Sequence, residues 1–266
     1  LEPLDLYRCI AGDPVNDSMG PRDNRKSIGK WYEILGLKRE DLFAERSDGS
    51  HDVHPTVSKN FERLDSILRD PTRPIFEWFA KATPKSEALP ITKGQTGHAR
   101  LFYVCDLDFN LVGRKYILPL ISYLNEHPYE SEIIAAIDAS SKQWDDLAKH
   151  LLKFGDGRFF DADDASMDIK HRGFMYLEAM FMFKLAKKCG YDEVSALAVL
   201  RWCYAGIHHY VIVNGEIFSV VGGLCSGRMD TLHVNSIIQS LRMRYAWTEL
   251  NLPLENFKKF MVLANT

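Results

Sequence analysis

Asp161-Ala162-Asp163-Asp164-Ala165-Ser166-Met167-Asp168 follows the short apolar run Arg158-Phe159-Phe160, itself led in by Gly155-Asp156-Gly157. Glycine and aspartate mark a turn, and a brief apolar run after it reads as a buried strand. A strand ending in carboxylates presents oxygen ligands to a hard cation such as Mg²⁺ (or Mn²⁺). Such an ion takes one or two protein carboxylates and fills its other positions with water and phosphate oxygens. An acidic cluster alone is equally well a solvated loop.

A second stretch, Ser226-Gly227-Arg228-Met229-Asp230-Thr231-Leu232-His233-Val234-Asn235, separates those readings. Its Ser-Gly is followed by Thr five residues after the Ser, then by Asn235-Ser236 four further on. This pattern resembles motif B of viral RNA-dependent RNA polymerases of the picorna-like (Picornavirales and potyvirus-like) supergroup. Asp163 and Asp168, with four residues between them, resemble motif A of the same family. The Asp-Ala-Asp opening is most like the potyvirus form, and its surroundings are picorna-like. The two motifs stand in the family's order, about sixty residues apart.

Composition permits this reading without demanding it. At 266 residues and 46% hydrophobic, the chain can bury a sizeable core as one large domain or two intertwined ones. A net charge of −3 excludes a whole-protein electrostatic case for nucleic-acid binding, so binding falls to local basic patches. Cys9, Cys105, Cys189, Cys203 and Cys225 are odd in number and lack a C-x-x-C, which argues against a zinc site or a disulfide framework. No apolar run is long enough to span a membrane as a helix.

Two further stretches carry the resemblance. Ser18-Met19-Gly20-Pro21, followed by Arg22, Arg25, Lys26 and Lys30, resembles motif G along the template path. Lys85-Ser86-Glu87, Pro90, Lys93, Gly97 and Arg100-Leu101-Phe102 resemble motif F, a basic hairpin roofing the nucleotide channel. A triphosphate and its pyrophosphate leaving group need cations as the bond breaks. Lys85, Lys93 and Arg100 supply them in this reading, with Glu87 holding the basic residues in place. The family often has an Arg where Leu89 stands and a Lys where His98 stands, so the basic charge is thinner here.

Between the motifs the chain reads as α+β. Residues 1–30 carry loop chemistry, and amphipathic helical patterns from Trp31 to Leu68 flank an exposed polar loop, Arg46 to Thr56. Leu111 to Asn125 is helical with Pro119 inside it. Ser140 or Ser141 caps a helix to Phe154, with Trp144 as a core anchor. Phe174–Lys188 and Val194–Tyr204 are apolar helices whose Met and Phe residues read as core. Tyr210–Val213 and Glu216–Val221 flank Asn214-Gly215, the strongest short hairpin signal. His208 and His209 lack metal-ligand spacing and read as structural. The glycines of Gly222-Gly223 permit a loop that hugs the template or nascent pair. Cys225 stands where the picorna-like pattern often has Pro. Thr231 to Leu250 is a long helix that places Thr231 and Asn235 a turn apart on one face.

The resemblance implies a right-hand polymerase fold: fingers over 1–110 (motifs G and F), palm over 111–170 (motif A), a fingers insertion over 171–224, and palm over 225–266 (motif B). The palm is expected to be a small antiparallel sheet backed by helices. Asp163 is the implied catalytic carboxylate, holding two Mg²⁺ ions with an Asp of a further motif, while Asp164 contributes at most its backbone carbonyl. Asp168 and Asn235 are the implied ribose 2′-hydroxyl readers, assisted by Ser226 and Thr231. Ser18, Gly20 and Gly227 would line the template. The implied partners are RNA template and primer, NTPs and other viral replication proteins. The implied setting is the host cytoplasm, at membrane-associated replication complexes.

The chain starts at Leu1 without a methionine, and Phe257 to Thr266 resembles the lead-in to the family's Gly-Asp-Asp strand. The expectation is a fragment cut just before that strand, lacking the thumb and unable to polymerise RNA alone. Two rivals remain open on the residues. Asp161-Ala162-Asp163 fits the D-x-D of a metal-dependent nucleotide-sugar glycosyltransferase, and a non-catalytic RNA-binding or scaffold domain could keep the fold without metal chemistry.

Overall fold

Asp5 accepts a hydrogen bond from the Arg8 amide at 2.8 Å and starts helix α1 (Leu6–Ala11), so residues 1–30 are not loop throughout. The structure, a computed structural model, describes residues 1–22, 27–47, 50–88, 91–92, 100–158, 161–164 and 167–265. Short helices α2 (Lys30–Ile34) and α3 (Arg39–Leu42) follow. Strands β1 (Phe43–Glu45) and β2 (His51–Val53) pair antiparallel, β1 just before the segment expected as a polar loop and β2 inside it. Alternating burial along β2 was too short a signal to separate from loop chemistry. Helix α4 (Pro55–Arg69) starts on Pro55 and buries Val57, Phe61, Leu64, Ile67 and Leu68 on one face.

Strands β3 (Phe79–Pro84) and β4 (Leu101–Cys105) lead to α5 (Leu107–Glu126), capped by Asp106. Pro119 lies inside α5 and cannot donate to the carbonyl four residues back. That carbonyl, on Lys115, instead accepts from the Leu4 amide at 2.9 Å, which ties the N-terminus to the central helix. Helices α6 (Pro128–Ser131) and α7 (Lys142–Leu151) come next, and Ser141 caps α7 by accepting from the Gln143 amide. Leu147 of α7 is buried, but Trp144 is 57% exposed and is not a core anchor. Periodicity marked an apolar face there without showing that anything covers it.

Helices α8 (Met167–Lys170), α9 (Phe174–Lys188) and α10 (Glu193–Ile207) precede strands β5 (His208–Val213) and β6 (Glu216–Val221), then α11 (Thr231–Glu249) and α12 (Phe257–Phe260). In α9 Met175 and Met182 are core, whereas Met180 and Phe181 are exposed. The four-stranded sheet has the order β4-β3-β5-β6, and its central β3–β5 pairing is parallel. It is therefore a mixed sheet, built from the ranges expected as fingers. Among the described residues, the ranges expected as palm contribute one isolated parallel bridge, Ile133 to Asn265. Phe159, Phe160 and Thr266 lie outside the described residues, and the stretch expected as the lead-in to a strand opens with a helical turn, Phe257–Phe260.

The core is threaded by a column of rings. His209, Trp78, Phe109 and Trp202 stack with successive centroid separations of 5.0, 4.0 and 4.8 Å. Buried indoles need partners, and both find backbone carbonyls: Trp78 donates to Ala205 at 2.8 Å and Trp202 to Phe109 at 3.0 Å. The column ends on the guanidinium of Arg228, 4.8 Å from the Trp202 ring. The core thus reaches from β5 to the loop that carries the Ser-Gly motif. His209 is structural, as expected.

Candidate active site

The Ser226-Gly227 loop is fastened to strand β4 atom by atom. Ser226 Oγ accepts from the Tyr103 amide at 3.0 Å. A Cβ on Gly227 would overlap the Tyr103 carbonyl oxygen, so only glycine lets the loop lie this close. Asn110, one turn into α5, brackets the loop: Nδ2 donates to the Gly227 carbonyl at 3.1 Å and Oδ1 accepts from the Met229 amide at 3.2 Å. Thr231 Oγ1 faces back into the loop, within 2.9 Å of the Arg228 carbonyl and 3.2 Å of those of Cys225 and Ser226. A side chain with one proton facing three carbonyls acts as a cap on the turn.

Below the loop, the Arg228 side chain is fully buried and forked onto Asp230, Nε to Oδ1 at 2.9 Å and Nη2 to Oδ2 at 2.7 Å. Beside it lies Glu178 of α9, 1% exposed, whose carboxylate oxygens have no hydrogen-bond partner among the described residues. Burial pushes the Glu178 carboxyl up to about 8, with Arg228 pulling it back and Asp230 adding to the rise. Sequence reading missed Asn110, Arg228 and Glu178, since an isolated polar residue gives no periodic signal of burial.

Helix α11 joins this loop to the acidic stretch. Asn235 Oδ1 lies 2.7 Å from Nε2 of the fully buried His171, just past α8. Two turns on, Arg242 bonds Asp164 at 3.2 Å and the Lys170 carbonyl at 2.7 Å. Arg172, at φ 38°, donates its amide to the Gly222 carbonyl at 2.9 Å. A Cβ on Gly222 would stand 2.9 Å from the Arg172 Cα, so the glycine permits this close approach. Asp161 and Asp163 are exposed, and Asp164 is half-buried. Asp168 lies on α8, with its side chain outside the described residues.

The β3–β4 hairpin brings Lys85 and Arg100 together at the end where its connecting segment begins, and the Lys85 amide donates to the Arg100 carbonyl at 2.8 Å. Glu87 lies between their side chains, 3.5 Å from Lys85 and 3.4 Å from Arg100. Lys93, Leu89, Pro90, Gly97 and His98 lie outside the described residues, as do Arg25 and Lys26. Ser18 is exposed, and the Gly20 carbonyl accepts from Arg114 at 2.5 Å. A cleft of about 600 Å³ lies beside the Ser-Gly loop, between β4 and the start of α5, lined by Arg22, Thr83, Tyr103, Arg114, Ser226 and Gly227 among others.

The exposed carboxylates of Asp161 and Asp163 are hard oxygen donors of the kind that Mg²⁺ or Mn²⁺ prefers, while that of Asp164 is engaged by Arg242. Among the described residues, no group of three or more His, Cys, Asp or Glu converges as a complete metal cage. One or two carboxylates with water and phosphate oxygens suffice for Mg²⁺, so the residues present fit that ion.

Residues 16–264 match the family model for viral RNA-dependent RNA polymerase. The genome polyprotein of Human hepatitis A virus genotype IA (isolate HAS-15) is 25% identical over 248 residues, covering 93% of this chain and 12% of the polyprotein. That of genotype IIA (isolate CF-53) is 26% identical over 249 residues, covering 93% and 11%. Among solved structures, Sicinivirus 3Dpol RNA-dependent RNA polymerase matches with a TM-score of 0.70 at 18% identity, over 91% of this chain and 48% of that one. The chain therefore spans about half of that solved polymerase and about an eighth of the polyproteins it matches. Its fold is that of the viral polymerases, and the chain belongs to the viral RNA-dependent RNA polymerase family. Neither the glycosyltransferase nor the binding-domain reading is favoured by these matches.

Proposed function

We propose that the chain is the nucleotide- and template-binding part of an enzyme that copies RNA from an RNA template, joining NTPs to an RNA 3′-hydroxyl in viral genome replication. The observation that carries this reading is the double tether of α11, Asn235 to His171 and Arg242 to Asp164, which binds the acidic stretch to the Ser-Gly loop. In this reading residues 1–110 and 171–224 are fingers, and 111–170 and 225–266 are palm. RNA template, primer and NTPs are the partners, with further viral replication proteins at host cytoplasmic membranes.

Asp163 holds the metal ions, and Asp164, whose carboxylate is engaged by Arg242, offers only its backbone carbonyl. When bound, Mg²⁺ lowers the pKa of the attacking 3′-hydroxyl and neutralises the departing pyrophosphate. Lys85, Lys93 and Arg100 bind the triphosphate, with Glu87, between Lys85 and Arg100, holding both in place. Asp168 and Asn235 bond the ribose 2′-hydroxyl, and a site built for that hydroxyl rejects sugars lacking it. Ser226 and Thr231 hold the loop that supports Asn235, while Gly227 with Ser18 and Gly20 borders the template path.

The test is nucleotide binding by the complete polymerase carrying this segment, with ATP and with UDP-glucose, in Mg²⁺ and in EDTA. The expected result is Mg²⁺-dependent ATP binding that Asp163→Ala abolishes. Selective binding of UDP-glucose would favour a glycosyltransferase, and binding indifferent to Mg²⁺ and to Asp163 would favour a non-catalytic domain.

A further inference from the structure

We infer that His171 is a positioning residue for sugar selection: its ring donates through Nε2–H to Asn235 Oδ1 and thereby fixes the Asn235 amide with its NH₂ group free to donate to the ribose 2′-oxygen. The inference rests on the proposal above that Asn235 reads the ribose.

An amide carbonyl oxygen only accepts, so a ring nitrogen 2.7 Å from it carries the proton. His171 is fully buried, so water does not compete for that proton. With the proton on Nε2, turning the amide over would set its NH₂ against the ring N–H, leaving two donors face to face in a dry site. The backbone on either side of His171 is held independently of Asn235. His171 directly follows α8, which Arg242 grips through the Lys170 carbonyl at 2.7 Å, and precedes Arg172, which is bonded to Gly222 at 2.9 Å. His171 thus connects the short helix bearing Asp168 to the long helix bearing Asn235. In the resulting arrangement the 2′-oxygen accepts from Asn235 Nδ2. A 2′-deoxyribose leaves that donor unpaired.

The experiment is single-nucleotide incorporation of ATP and dATP by the complete polymerase. His171→Leu is expected to lower kcat/KM for ATP about tenfold, the size of one lost hydrogen bond, and to lower that for dATP far less. His171→Gln, which keeps an N–H donor, is expected to restore most of the preference. Asn235→Ala is expected to lose the preference, and adding His171→Leu to it is expected to change the ratio no further. Parallel loss with both nucleotides in His171→Leu would mean a structural role only and overturn the inference. So would a shift in the ratio that persists without Asn235. Asn235→Asp leaves His171 untouched and provides a second arm. It keeps the acceptor but has no N–H, so the preference is expected to fall as in Asn235→Ala; a retained preference would mean that Asn235 accepts from the sugar, against the inference. If Asn235→Ala itself leaves the preference intact, the ribose-reading role of Asn235 fails first, a separate outcome from failure of His171 alone.

Discussion

The Ser226 hydroxyl accepts the Tyr103 amide proton at 3.0 Å, so the Ser-Gly loop continues the edge of the β3–β4 hairpin. Two stretches separated by more than a hundred residues are thereby set in fixed register. Lys85 and Arg100 on the hairpin and Asn235 on α11, the groups proposed to bind triphosphate and to read the sugar, then share one frame.

Gly227 sets how close that frame can be. Gly227→Ala is expected to destabilise the protein by about 2 kcal/mol, because the Tyr103 carbonyl belongs to a strand and cannot move aside. Urea unfolding measures the cost, and an unchanged midpoint would show that the loop sits off β4.

Arg228→Met is expected to cost about 3–5 kcal/mol, since it strands the Asp230 carboxylate in the core. Replacing both residues, Arg228→Met with Asp230→Leu, should cost less than the single change. Chemical denaturation of the two variants checks the order, and equal losses would mean that the pair contributes through packing alone.

Glu178 gives a pH dependence of defined sign. Its carboxyl is raised from 4.5 to about 8 by burial, so between those values the unfolded chain releases a proton that the folded chain keeps. Below pH 4.5 both states are protonated and the group has no effect. As pH rises towards 8, folding loses stability through this group. Glu178→Gln is therefore expected to gain stability relative to the parent across pH 5 to 8, by at most about 1.4 kcal/mol per pH unit. Urea midpoints of both proteins at several pH values give the difference, and a constant difference would refute the assignment.

Cysteine reactivity tests the packing. Cys9, Cys105, Cys203 and Cys225 are buried, and burial raises the first to about 12 and pushes Cys105 and Cys203 well above the usual thiol range. Cys189 is half-buried and less strongly raised. Iodoacetamide at pH 8 is expected to label Cys189 first, with the others protected until the chain unfolds. Peptide mass spectrometry reads the order.

What the sequence disclosed was local. The Asn214-Gly215 hairpin formed where expected, with both residues at positive φ, 50° and 90°, as its turn requires. Helix α9 has the bounds its apolar pattern marked, and Ser141 caps α7. Motif spacing also placed Thr231 and Asn235 on one helix. What the sequence withheld depends on distant partners. The parallel β3–β5 pairing and the burial of Arg228 under Trp202 join residues that carry no mark of each other. Trp144 failed for the converse reason, an apolar face exposed to solvent. His171, one unremarkable residue after the acidic motif, gained meaning only when α11 brought Asn235 to it.

The most direct measurement is templated primer extension by the complete polymerase, comparing Asp163→Asn with the parent in Mg²⁺. RNA synthesis by the parent is expected, with a loss of about a thousandfold or more in the variant, since the metal's charge stabilisation amounts to several kcal/mol. Extension by Asp163→Asn within tenfold of the parent would contradict the assignment of Asp163 as the metal-binding carboxylate.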